Sequence, residues 1–125
     1  SAISVLKNAK VPANTVPVTG QDATLQGAQN ILAGYQYMTV YKPIYEEVAA
    51  AAAIAVIVRA GQTPAAALLN GEVDAQGHKV PSVLLTPQSV TKANMASTVI
   101  ADKFIDAKEL CSGDFAAACT EAGIK

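Results

Sequence analysis

Residues 15–22, TVPVTGQD, and residues 37–43, YMTVYKP, decide how this chain folds. Each is a short β-branched run that ends on polar residues, as a strand entering a loop does. The first predicts a strand over Thr15–Thr19, bounded by Gly20, with Pro17 confining it to a sheet edge or a strand start. The second predicts a strand over Tyr37–Tyr41, ended at Lys42-Pro43 because proline lacks the N–H that a ladder requires. Between them Leu25, Ala28, Ile31 and Leu32 recur at helical spacing up to Gly34, with Asp22 or Thr24 as the cap. Strand, helix, strand is the grammar of a parallel sheet with crossover helices.

Working outward, the residues from Ser1 to Ala9 predict the end of a helix that Pro12 stops. Ile44–Ala60 predicts the longest helix, with Ile44, Val48, Ala51, Ala52, Ala55 and Val58 at helical spacing and Gly61 as its stop. The apolar run Val48–Val58 is far shorter than the roughly 20 residues that cross a bilayer, so it predicts a buried helix, with the alanines Ala49–Ala53 as a close packing face. Residues 63–86 predict short extended pieces, Ala67–Asn70 and Val80–Leu85, around the polar surface turn NGEVDAQGHK. A helix over Val90–Ile100 and short helical turns over Phe104–Ala122 complete the chain.

The 125 residues are 51% hydrophobic and 15% charged, which fits one packed domain and excludes a disordered chain. Two or three strands are few for a doubly wound sheet, so the chain is expected to complete a sheet begun elsewhere. The opening Ser1-Ala2-Ile3 already has helical character and carries no initiating methionine, so the true start is expected elsewhere, and a targeting segment could have been lost either way. A formal net charge of −1 offers no dense positive field for a phosphate backbone, so no nucleic-acid partner is expected.

Cys111 and Cys119 are the two cysteines, close together in ELCSGDFAAAC. In one straight helix they would stand about 12 Å apart, beyond the reach of a disulfide, so pairing requires the chain to fold back at Ser112-Gly113. A bridge formed in an oxidising compartment is one reading, and two buried free thiols in a reducing one is the other.

His78 has no cysteine or second histidine around which to build a metal site, and it is expected to be solvated. There is no nucleophile elbow, no phosphate-cradling glycine pattern and no acidic calcium loop. Glu46-Glu47 fits the first turn of a helix, where negative charge is favourable. No catalytic residue, metal or cofactor is therefore expected. Asp22 and Lys42 remain, each following a predicted strand, and ligands of open α/β sheets bind beyond the carboxyl ends of the strands. A carboxylate accepts from sugar hydroxyls and an ammonium donates to sugar oxygens. Equally, Asp22 can be a helix cap and Lys42 a solvated loop cation, and the residues alone leave both readings open.

Across nearly the whole chain the strings GQDA (20–23), TVYKP (39–43), VPSVLLTP (80–87) and TVIADKF (98–104) occur in order, with spacing that resembles the C-terminal region of xylose-type periplasmic sugar-binding proteins of ABC transporters. These are type I periplasmic binding proteins. The resemblance implies an α/β fold of two lobes, parallel sheets flanked by helices, joined by three hinge strands and closing on one monosaccharide. Residues 1–42 would belong to the second lobe, residues 43–85 would cross into the first, and residues 86–125 would return to the second. Asp22 would accept sugar hydroxyls and Lys42 would donate to the sugar, with Gln21 and Tyr41 as neighbours. The fold would be incomplete without an N-terminal portion that carries the other sugar contacts, and this chain, which has no tryptophan, is not expected to bind sugar normally alone.

The implied function is a secreted receptor, periplasmic or at the cell surface, that passes a monosaccharide such as xylose or a related aldose to a transporter permease. An effector-binding domain of a sugar-responsive repressor, which uses the same lobes, is the alternative. A disulfide and the lack of a basic DNA-reading segment argue against it.

Overall fold

The computed structural model describes residues 1–125 and divides the chain into two units, Ser1–Tyr41 with Gln88–Lys125, and Lys42–Pro87. The first unit contains α1 (Ala2–Asn8), β1 (Thr19–Gln21), α2 (Leu25–Leu32) and β2 (Met38–Tyr41). The second contains α3 (Ile44–Arg59), a 3-10 turn (Ala66–Leu68), β3 (Gly71–Ala75) and β4 (His78–Ser82). The chain then returns to the first unit with β5 (Gln88–Val90), a π-helical turn (Ala96–Ile100), α4 (Ala107–Leu110) and α5 (Ala116–Glu121), the last two joined by the 3-10 turn Gly113–Phe115.

In the first unit a three-stranded sheet runs β1-β2-β5. β1 pairs parallel to β2, with Thr19 beside Met38 and Gln21 beside Val40. β5 pairs antiparallel to β2, with Thr39 beside Val90, so the sheet is mixed rather than wholly parallel. β1 begins at Thr19, where the expected strand over Thr15–Thr19 was to end. The segment before it is turned: the Thr15 hydroxyl donates to the Pro12 carbonyl at 2.7 Å, the Asn14 N–H donates to the Gly34 carbonyl at 2.7 Å, and Asn14 holds φ 61°. Pro17 has no N–H to offer a neighbouring strand.

Thr24, not Asp22, caps α2, its Oγ1 accepting the Gly27 N–H at 3.1 Å. This helix buries Ala28, Ile31 and Leu32, and Gly34 at φ 75° ends its last turn. Together with Tyr41, Val90, Met95, Val99, Ile105, Leu110, Cys119 and Ile124 they form one apolar core, in which the Tyr41 ring lies 4.9 Å from Phe104. The helix expected over Val90–Ile100 starts later. Val90 is in β5, Asn94 Oδ1 accepts the Thr91 N–H at 2.7 Å to turn the chain, and only then does the π-helical turn begin.

Cys111 and Cys119 are bridged, with α-carbons 5.8 Å apart, and Gly113 at φ 59° supplies the fold-back between α4 and α5. Near the C-terminus the Lys92 Nζ stands 2.8 Å from Glu121 Oε2 and holds that carboxyl below its ordinary range, by hydrogen bond first and charge second. The bridge closes a loop of sequence separation 8. In the chain-entropy treatment a loop of that size is worth about 2.5 kcal/mol. Replacing both cysteines by alanine is expected to lower the urea midpoint accordingly; an unchanged midpoint would assign the terminal turns to packing alone.

In the second unit α3 carries Glu46 and Glu47 in its first turn and Arg59 in its last, each favourable to the helix dipole. The expectation of a buried helix is corrected: no residue of α3 is buried, and Val48, Val56 and Val58 are 61, 71 and 57% exposed. The reason is architectural, since one helix and one two-stranded hairpin provide no second layer on the far side of the helix. The alanine run is mostly exposed as well, with Ala50 half-buried.

The polar segment expected as a surface turn is instead the hairpin β3–β4, paired from Gly71 beside Ser82 to Ala75 beside His78. Its two-residue loop, Gln76-Gly77, holds φ 55° and 86°, the doubly positive geometry that a tight hairpin requires, and Asp74 Oδ1 accepts the Gly77 N–H at 2.7 Å. The expected extended piece Ala67–Asn70 is replaced by the 3-10 turn, and His78 is exposed at the start of β4.

Candidate functional site

Gly20 and Gln21 are the last two residues of β1, and Asp22 is the first beyond it. Gly20 leaves room for its neighbour: a Cβ there would displace the Gln36 amide, whose Nε2 donates to the Met38 carbonyl at 3.0 Å. Gln36 is 8% exposed. Gln21 and Asp22 are exposed.

Past Gln21 the backbone leaves the ladder through two successive left-handed residues, Asp22 at φ 75° and Ala23 at φ 45°. Aspartate tolerates this region better than most residues. Alanine does not, and the conformation costs about 1 to 2 kcal/mol there. The surroundings hold it. The Asp22 N–H donates to the Val40 carbonyl at 2.9 Å, the Ala23 N–H donates to Thr39 Oγ1 at 3.2 Å, and the Ala23 methyl is fully buried. Strained, over-determined backbone of this kind is concentrated at functional sites.

Lys42 directly follows β2 and is half-buried. Because Gln21 is level with Val40 in the parallel register, the two strands finish almost together, and the candidates Asp22 and Lys42 both follow carboxyl ends of adjacent strands. Tyr41 is 1% exposed and belongs to the core, supporting the end of β2 from inside. Gln36 and Thr39 escaped the sequence reading: neither stands after a strand, and Thr39, although it opens TVYKP, lies inside β2, where its buried hydroxyl gives no sign of its partner.

A concavity of about 490 Å³ lies within residues 42–87, between α3 (Glu47, Ala50, Ala51, Ile54) and the segment Pro81–Leu85, and Lys42 borders it. Its walls are largely aliphatic, which suits a sugar poorly because each hydroxyl taken from water needs a partner.

No protein-family model matches the chain. Over 97 residues, 76% of its length, it is 50% identical to the D-xylose-binding periplasmic protein of Escherichia coli (strain K12), of which it covers 28%. Over 89 residues, 71% of its length, it is 42% identical to the D-xylose-binding periplasmic protein of Haemophilus influenzae, of which it covers 26%. Among solved structures, a carbohydrate transporter solute binding protein from Chloroflexus aurantiacus in complex with D-glucose matches 74% of the chain with a TM-score of 0.67 at 30% identity, over 26% of its own length. The chain thus spans about a quarter of the length of these relatives. All three are binding proteins, and the curated two are periplasmic, an oxidising compartment in keeping with the bridged cysteines and the one to which this chain is assigned. In sequence and in fold, this α/β chain belongs to the family of xylose-type periplasmic sugar-binding proteins, as part of such a protein.

Proposed function

We propose that the full-length protein is a non-catalytic receptor that captures one aldose and delivers it to the permease of an ABC transporter. The observation that carries this reading is Asp22, held by its neighbours in a left-handed turn one residue past β1, level with the end of the strand that Lys42 follows. The carboxylate accepts from sugar hydroxyls, the ammonium donates to sugar oxygens, and Gln21, the residue before Asp22, offers an amide. The relatives, named for D-xylose or solved with D-glucose, support an aldopyranose as the ligand. An effector domain of a repressor is disfavoured by the disulfide and the periplasmic relatives.

In this reading residues 1–42 and 86–125 belong to one lobe and residues 43–85 to the other. The two units of the chain, with boundaries within two residues of that division, support it. The uncovered apolar residues of α3 fit the same picture, as a surface awaiting the rest of the receptor.

Calorimetric titration of the full-length receptor against xylose, glucose, ribose and arabinose tests the proposal. At least one sugar should bind and be recovered unchanged. Lys42→Met, which keeps much of the aliphatic stem, should weaken binding roughly tenfold or more, with little loss of fold stability. Absence of heat with every aldose, or turnover of any, would overturn the reading.

A further inference from the structure

We propose that Thr39 is a positioning residue for the Asp22 carboxylate, acting through the Ala23 amide; the inference rests on the sugar-receptor reading of Asp22. The direction of a side chain is set by the two peptide planes that flank its Cα. At Asp22 both planes are anchored to β2. The preceding one is held by the Asp22 N–H donating to the Val40 carbonyl at 2.9 Å, and the following one by the Ala23 N–H donating to Thr39 Oγ1 at 3.2 Å.

The second anchor is needed because the ladder has run out. β1 pairs with β2 only as far as Gln21 beside Val40, and Ala23 points its N–H into the core, where no water can satisfy it. Thr39 is 1% exposed and is paired with Gly20 on one side and Val90 on the other, on a strand whose alternating pattern buries it together with Tyr41. A valine would suit that apolar surrounding equally well by shape. The hydroxyl earns its place by receiving the Ala23 N–H, and it lies on the strand that leads into Lys42.

Without that acceptor the left-handed pair has less to hold it. Both residues prefer negative φ, and Thr24 has already committed the following backbone to α2. Relaxation of residues 22–23 would therefore swing the carboxylate away from its place beyond β1 while leaving strand and helix intact. Groups that orient a ligating side chain are commonly worth ten- to a hundredfold in affinity, at least in metal sites, where this has been measured most often.

The test uses the full-length receptor, with sugar affinity measured by calorimetry on whichever aldose binds. Thr39→Val keeps the shape and removes the acceptor, and is expected to weaken binding about tenfold. Thr39→Ser keeps the hydroxyl and is expected to remain within about twofold of the parent. Thr39→Ala against Thr39→Ser repeats the comparison between two smaller residues that differ by the hydroxyl alone, should valine perturb folding. If Thr39 works through Asp22, its loss should matter little once the carboxylate is gone, so Thr39→Val added to Asp22→Ala should change affinity by less than about twofold. An equal tenfold loss in that background would make Thr39 a general support of the fold and overturn the proposal. So would an unchanged affinity in both Thr39→Val and Thr39→Ala. If Asp22→Ala alone binds like the parent, the sugar-site reading fails first; if Asp22→Ala is weak and the Thr39 variants are normal, only the positioning role fails.

Discussion

Asp22→Ala is expected to weaken sugar binding by the full-length receptor on the order of a hundredfold, or about 2.7 kcal/mol. An ionised carboxylate offers acceptors only, and a sugar presents adjacent hydroxyl donors to it. Hydrogen bonds to a charged group are worth about 1.5 to 3 kcal/mol, and their loss leaves sugar donors inside a closed site without the acceptor they had in water. The fold should hardly notice, since Asp22 is exposed and Thr24 performs the capping of α2. Alanine at φ 75° nevertheless adds backbone strain, which by itself could loosen the turn. Asp22→Gly separates the two effects: glycine adopts that φ freely and also lacks the carboxylate. Equal losses in both variants, by calorimetric titration, would assign the affinity to the carboxylate. Recovery in the glycine variant would assign it to the turn, and parent-like affinity in both would remove Asp22 from the site.

The parts of this chain that its sequence discloses are those fixed by local signals. YMTVY is strand because β-branched and aromatic residues suit a pleated surface, α2 and α3 are helix by spacing and by their terminal Gly34 and Gly61, and Ser112-Gly113 turns the bridged segment. Where pairing decides, the signal is weaker. β5 is three residues long, and its strand state comes from lying beside β2. The β3–β4 hairpin carries Glu72, Asp74, His78 and Lys79 and turns on Gln76-Gly77 rather than Asn-Gly, so nothing in it stands out from a polar loop. For α3 the apolar composition marks a surface to be covered without saying by what. The candidate site divides in the same way. Asp22 and Lys42 are legible because position after a strand is a one-dimensional property. Thr39 and Gln36 are not, because the Ala23–Thr39 hydrogen bond joins residues 16 apart and the contact of Gln36 with Gly20 exists only once the strands have been laid side by side.

Burial, more than hydrophobicity, should govern stability, and Leu110 is where the effect should be largest. It is fully buried on α4, in the cluster that also holds Cys119 and Ile124. Truncation to alanine removes its transfer free energy and leaves a cavity, which together cost about 2 to 5 kcal/mol in a well-packed core. Collapse around the gap is hindered by the Cys111–Cys119 bridge, which ties the turn that follows α4. The upper half of the range is therefore expected, as a fall in the urea midpoint of the receptor with unchanged denaturant slope. Lys108→Ala on the same short helix serves as control, because the residue is exposed and the two have similar helix propensity, so its effect should stay within about 0.5 kcal/mol. A Leu110→Ala cost below about 1 kcal/mol would mean that the terminal helices repack freely, which a rigid support for the end of β2 could not do.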